Sequence, residues 1–266
     1  MRKFLAFFCA VLIIYSFAFV PAKAANLLSD DFESGVSSSV WTQVANPGNS
    51  LLQGDTGGHH LGAQSAKQVN AFTDGVSDVY YMRNKPGVIF PGTITPGNRE
   101  IAKVQFWDDN IRTDTSGDSS IDIKGAIMLA NSAGSDFYQL GVNSPTSVNN
   151  YFWRTSLQGL FATSVPRTQG WHELRIEALP YTGTNDVQFY IDGVNVASGN
   201  RRPNTGSGFD LDEVRLGLSA RTPDSPFWFD NVSLDMVPEP KSALLLGTGC
   251  LAITGYVRRV RRHRCA

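Results

Sequence analysis

Apolar and polar residues alternate with a period of two along most of the chain. Ala102, Val104 and Phe106 alternate with Lys103, Gln105 and Trp107. Ile121, Ile123, Ile127 and Leu129 share one face, with Asp122, Lys124 and Met128 on the other. Tyr138, Leu140 and Val142 form a third set, and His172, Leu174 and Ile176 alternate with Glu173, Arg175 and Glu177. The same rhythm runs through Val187, Phe189 and Ile191, and again through Val214, Leu216 and Leu218. Period two repeated this often predicts half-buried antiparallel strands. Asp192-Gly193 between two such runs predicts a tight hairpin, because glycine supplies the positive φ that the turn demands. Pro47-Gly48, Pro86-Gly87, Pro91-Gly92, Pro96-Gly97 and Ser116-Gly117 mark further turns. Within residues 25–240 the pattern contains no convincing helix, so it predicts an all-β fold of two packed antiparallel sheets.

The two ends depart from this rhythm. Arg2-Lys3, the apolar run Phe4 to Val20 and the small residues of Ala22-Lys23-Ala24 have the layout of a secretory signal peptide over residues 1–24, cut after Ala24; an uncleaved anchor is the alternative. The other end reads Val237-Pro238-Glu239-Pro240, then an apolar segment over 243–257, then a basic tail over 258–264 with five arginines. A helix of that length reaches about 23 Å, short of the roughly 30 Å hydrocarbon core, with Lys241 and Arg258 placed to snorkel. The arginines predict that the distal side stays cytoplasmic. The apolar segment has no polar face, which argues against a core helix.

The order of motif, apolar helix and basic tail resembles the PEP-CTERM sorting signal of Gram-negative bacteria. The resemblance implies that Pro238, Glu239 and Pro240 are handled by an exosortase-type sorting enzyme. It also implies at least transient contact with the inner membrane and a final place at the outer surface or in the extracellular matrix. The segments then divide as 1–24, an exported domain over 25–236, and a sorting segment over 237–266.

Separating the ends changes the charge. The chain has 23 basic and 24 acidic residues and a net charge of −1. Nine basic residues and no acidic ones lie outside 25–240, which leaves 14 against 24 and a net charge of −10. Such a surface argues against nucleic acid and anionic lipid as partners and suits divalent cations. Cys9, Cys250 and Cys265 all fall in the end segments, so the exported domain has no disulfide and must rest on its core.

Leu28-Ser29-Asp30-Asp31-Phe32-Glu33-Ser34-Gly35, with Trp41 following, resembles the opening of jelly-roll carbohydrate-binding modules. Gly58-His59-His60-Leu61-Gly62-Ala63-Gln64-Ser65-Ala66 is similar to a second stretch of theirs, and Phe227-Trp228-Phe229-Asp230-Asn231-Val232-Ser233-Leu234 to their closing strand. Trp171-His172-Glu173-Leu174-Arg175-Ile176, followed by Phe189-Tyr190-Ile191-Asp192-Gly193, resembles the concanavalin A-like or laminin G-like pattern. These likenesses imply a two-sheet antiparallel jelly roll that binds extracellular polysaccharide or helps to build the matrix. They also imply one structural calcium ion where first and last strands meet, held by Glu33 and Asp230 with Asp30, unless these are ordinary turn and edge residues. Hard oxygen ligands suit calcium.

Sugar modules offer aromatic rings to pyranose faces and polar groups to hydroxyls. Trp107, beside Gln105 and Lys103 on the polar side of its strand, is the first candidate platform, and Tyr151 and Trp153 are the second. Trp41, Trp171 and Trp228 are expected in the core or in the packing between sheets. Catalysis is the alternative reading, as a polysaccharide hydrolase or lyase of concanavalin A-like fold with a divergent site. The laminarinase-like pattern needs Glu-x-Asp-x-Glu along one strand, and the nearest stretch, Ser120-Ile121-Asp122-Ile123-Lys124, keeps only the central carboxylate. Asp108 and Asp109 are adjacent and should diverge, and His59-His60 lack spaced ligand partners and are expected in a solvated loop.

Overall fold

The structure is a computed structural model; it describes residues 24–45, 52–68, 80–84, 98–111, 124–131, 135–143, 146–203, 211–217 and 227–238. The signal-peptide residues 1–23, Ser120 to Ile123, Glu239, Pro240 and the apolar and basic segments beyond lie outside the described residues. No helix among the described residues is long and apolar enough to cross a membrane.

Among the described residues fifteen strands form two antiparallel sheets. Sheet A contains β1 (Ala25–Asp30), β3 (Leu52–Asp55), β4 (Ser65–Gln68), β6 (Asn98–Asp108), β11 (Gly170–Ala178), β12 (Val187–Ile191), β13 (Val194–Gly199) and β15 (Trp228–Pro238). Its order is β13-β12-β11-β6-β15-β4-β3, with β1 also paired to β15. Sheet B contains β2 (Trp41–Ala45), β5 (Tyr80–Asn84), β7 (Lys124–Ala130), β8 (Phe137–Asn143), β9 (Ser147–Thr155), β10 (Leu160–Pro166) and β14 (Glu213–Leu216), in the order β10-β9-β8-β7-β14-β5-β2.

The alternation read from the sequence sets the inward faces. Ala102, Val104 and Phe106 of β6 are fully buried, beside Leu174 and Ile176 of β11 and Phe229 and Leu234 of β15. Ile127, Leu129, Tyr138, Leu140, Val142, Val214 and Leu216 answer from sheet B in the same core. Such burial removes apolar area at about 25 cal/mol per Å², the main favourable term for a domain without disulfides. Asp192 (φ 50°) and Gly193 (φ 79°) join β12 to β13 in a two-residue turn with positive φ at both positions, as expected from the sequence. On sheet B, Met128 lies on the face opposite Ile127 and Leu129, as expected, yet is only 8% exposed.

β15 carries the principal irregularity. It pairs with β6 along one side, while its other side is shared, Trp228 and Phe229 with β4 and Val232 to Met236 with β1. The register slips between Asp230 and Ser233, with Asn231 at φ 47°. This bulge absorbs one extra residue, so Phe229, Val232 and Leu234 all reach the core.

A buried ion pair fastens the sheets together. Arg167 lies between β10 of sheet B and β11 of sheet A, and Asp108 ends β6; they are 1% and 0% exposed. Arg167 donates from Nε to Asp108 Oδ2 (2.9 Å) and from Nη2 to Oδ1 (2.6 Å), and its Nη1 reaches the carbonyls of Ile111 (3.0 Å) and Val148 (3.3 Å). The Asn110 amide adds a bond to Asp108 Oδ1. Removing one partner leaves the other charge buried, so Arg167→Ala is expected to cost about 3–5 kcal/mol in urea unfolding. Asp108→Leu combined with Arg167→Met should cost less than either single change; additive losses would show that the pairing itself contributes nothing.

Candidate functional site

The outward positions of β6, β11 and β15 bring three tryptophans into one row. Trp107 is in register with Trp171 on one side and Trp228 on the other. This corrects the expectation that Trp171 and Trp228 belong to the core or to the packing between sheets, although Trp228 on the outward face is only 5% exposed. Trp171 shares the polar side of β11 with Glu173 and Arg175, and Trp228 alternates with the inward Phe227 and Phe229. Trp41 does join the core, at 2% exposure. Gln105 occupies the next row between Glu173 and Asp230, and Lys103 the one after, between Arg175 and Ser233 and 3.9 Å from Asp235.

Residues 57–64 cross this row. The His59 ring stacks on Trp107 with centroids 3.7 Å apart and planes 11° apart, and meets Trp228 edge-on at 4.7 Å. Trp107 and Trp171 also meet edge to face, at 5.8 Å. Two of the three indoles donate to a carboxylate, Trp107 to Asp109 and Trp228 to Asp55, both at 2.6 Å. Lys67 stands 3.9 Å from Asp55 and over the Trp228 ring. Burial, the largest influence on Asp55, pushes its pKa up, but the Trp228 indole, the Gly57 amide, Lys67 and His60 together hold it below the ordinary aspartate value. His59 is therefore part of an aromatic cluster and not simply a solvated loop residue. The signal for this in the sequence is Gly57-Gly58: a Cβ on Gly58 would lie 2.5 Å from the Trp228 indole nitrogen.

Two carboxylates anchor the same segment at the junction of β1, β4 and β15. Glu33 accepts the Ala63 amide on both oxygens (2.9 and 2.7 Å), and Asp230 accepts the Leu61 amide (2.9 Å) and that of Asn231 (2.8 Å). Gly62 is required here, because a Cβ would fall 1.7 Å from Glu33 Oε1. The Asp230 carboxyl is raised above the ordinary aspartate range, chiefly by burial; the Leu61 and Asn231 amides oppose this, and Glu33 and Asp31 add to it. Asp30 does not join them. Its oxygens are taken by the Phe32 amide and the Trp41 indole, so it braces the core tryptophan. Among the described residues no three metal-binding side chains gather in one place.

Tyr151 and Trp153 share one side, as expected, but that side is the inner one. Tyr151 is fully buried against His172, and Trp153 packs on Phe161 and Phe189. Neither is a platform, because alternation on β9 places both toward the opposing sheet. Asp108 and Asp109 diverge as expected, one to Arg167 and one to Trp107. Of the sorting motif, only Pro238 is described, at the end of β15 opposite Asn98.

No protein-family model matches the chain, and no curated protein matches it. Solved structures do. An endo-1,3-beta-glucanase from Streptomyces sioyaensis aligns with a TM-score of 0.55 at 13% identity, over 82% of this chain and 98% of its own. A carbohydrate esterase from Shiga toxin-encoding bacteriophage phi24B aligns with a TM-score of 0.52 at 12% identity, over 82% and 100%. The CBM22-1 xylan-binding domain from Paenibacillus barcinonensis Xyn10C aligns over 81% of this chain and 97% of its own at 13% identity, with a TM-score of 0.37. At these identities the likeness concerns the fold: an all-β sandwich of two antiparallel sheets with jelly-roll-like neighbours.

Proposed function

We propose that the chain is an exported surface protein whose sandwich binds extracellular polysaccharide, or contributes to the matrix made of it, without acting on it. The observation that carries this reading is Trp107 on the outward face of sheet A, flanked by Trp171 and Trp228 and followed by Gln105 and Lys103. Rings offer area to pyranose faces, and amide and ammonium groups serve hydroxyls. The His59 ring has to shift for a sugar to lie on Trp107, which costs about 1 kcal/mol of stacking. A non-catalytic role is supported by the engagement of the nearby carboxylates. Asp108 is neutralised by Arg167, while Asp109 and Asp55 each hold an indole. On a glycan array, Trp107→Ala should lose about tenfold or more in affinity for whichever polysaccharide the full chain binds. Absence of binding above background would refute the reading, and release of reducing sugar or unsaturated uronide would establish the hydrolase or lyase instead.

Calcium belongs to the same proposal. Glu33 and Asp230 would supply two carboxylates where β1, β4 and β15 meet, with the remaining oxygens drawn from backbone carbonyls and water. The ion would staple the strand ends, a task disulfides perform elsewhere. At a hundredfold excess over Kd, calcium is expected to raise Tm by about 5–10 °C and EDTA to reverse it. An equal rise in Glu33→Ala would exclude this site.

For the ends of the chain the proposal is a removable signal peptide over 1–24 and exosortase processing at Pro238-Glu239-Pro240 after transient insertion of 243–257 in the inner membrane of a Gram-negative cell. The mass of the surface-bound protein tests it. Loss of everything from the motif onward is expected, and retention of Cys265 would overturn it.

A further inference from the structure

The cover on Trp107 is one imidazole ring carried by a pinned backbone. The Ser65 hydroxyl donates to the His59 carbonyl (2.6 Å), and the Leu61 and Ala63 amides are held by Asp230 and Glu33. On the other side, Gly58 lies directly against the Trp228 indole, where a Cβ would not fit. The ring itself is held less firmly. Its side chain is 38% exposed, and it can turn about its own side-chain bonds while the backbone stays in place. Turning the ring uncovers Trp107. Trp228 stays covered, because Gly58 remains against it and Lys67 Nζ stands 5.0 Å from its ring centroid.

The stack that closes Trp107 responds to charge. A cation over an indole face is attracted by the negative face of the ring system, so an imidazolium stacks more strongly than a neutral imidazole. His59 Nε2 also stands 3.6 Å from Asp109 Oδ1, an approach that becomes an ion pair when the ring is protonated. The groups around it favour that charge. Asp109 comes from the end of β6, and Asp55 of β3 lies behind Trp228 with Lys67 of β4 beside it. Glu33 and Asp230 hold the adjoining amides, and the neighbouring His60 bonds the Gly62 carbonyl through Nδ1. Four carboxylates against one ammonium thus surround a place where a positive charge can appear. Asp55, held below the ordinary aspartate value, keeps its own charge as acidity rises.

The sign follows from these contacts. Histidine gains its proton within about pH 5–8, and gaining it strengthens the closed stack. A sugar that must displace the ring therefore meets more resistance as pH falls and less as pH rises.

We propose that His59 is a protonation-controlled gate on Trp107: the imidazolium closes the ring face, and the neutral imidazole gives it up to a sugar. The gate rests on the reading of Trp107 as a sugar platform and adds to it a dependence on acidity.

Tryptophan emission of the full chain, followed from pH 8 to pH 5 without sugar, reads the closed stack directly. An imidazolium against an indole quenches its emission more than a neutral imidazole does. A fall with the profile of one titrating group is expected, lost in His59→Ala and His59→Gln and kept in His60→Gln. Isothermal titration with laminarihexaose, xylohexaose and cellohexaose then reads the opening; these probes are uncharged and bring no titration of their own. Whichever binds at pH 8 should bind about fivefold more weakly at pH 5. In His59→Ala the affinity should be the same at both pH values and at least that of the unaltered chain at pH 8. Unchanged melting curves at pH 8 show that the His59 variants are folded. Absence of the emission step, or its survival in His59→Ala, overturns the gate whatever the sugars do. Equal sugar affinity of the unaltered chain at pH 5 and pH 8 overturns it as well. Failure of all three sugars to bind His59→Ala at either pH would count against the platform instead, while the emission step still decides whether His59 closes over Trp107.

Discussion

Burying an arginine and an aspartate together where the chain passes from one sheet to the other constrains much of this structure. Taking each ion out of water costs several kcal/mol, and the cost is offset only when geometry and additional hydrogen bonds are good. Here Asp108 receives both guanidinium nitrogens and the Asn110 amide, and Arg167 also binds two carbonyls. The consequences spread outward. With Asp108 directed inward, Trp107 must point to the outer face, since successive residues of a strand alternate. With Arg167 fixed, β11 starts at Gly170 in a register that sets Trp171 beside Trp107. The tryptophan row on sheet A is thus positioned from the interior by a buried charge pair.

The other end of that row depends on the bulge of β15. Without the extra residue at Asp230–Asn231, either Phe229 or Val232 and Leu234 would leave the core. The bulge also coincides with the handover from β4 to β1 along the strand edge. An interrupted edge leaves backbone groups to be satisfied by other means. Glu33 and Asp230 meet this need by gripping the Ala63 and Leu61 amides, and so tether the segment that carries His59 over Trp107. Strand pairing, carboxylate placement and cover of the aromatic row are one local solution.

Much of this was legible in the sequence, and the failures have identifiable causes. Period two on β6 placed Ala102, Val104 and Phe106 inside and Trp107 outside, and Asp192-Gly193 located the hairpin, because both signals are local. Trp171 and Trp228 were misplaced by reliance on motif likeness, although the alternation beside each one pointed outward. Tyr151 and Trp153 were correctly paired on one side, but local pattern alone does not say which side of β9 faces the core. Arg167 with Asp108, and Glu33 with Ala63, join residues far apart in the chain, and period two carries no information about such partners. Met128 falls on the polar side of its strand by alternation and is nonetheless covered, which a pattern of polarity in one strand cannot reveal.

The two outer faces differ in how their polar groups are satisfied. On sheet A the aromatic row has its indoles bonded to Asp55 and Asp109 and its central ring covered by His59, so a ligand there must exchange existing contacts for new ones. On sheet B the outward Met128 and Gln139 are only 8% and 5% exposed, and the buried carboxylate of Glu213 accepts bonds from both Arg83 and Arg215. Cross-strand ion pairing therefore does on sheet B what indole–carboxylate bonds do on sheet A: it satisfies charged groups that the sheet face partly withdraws from water.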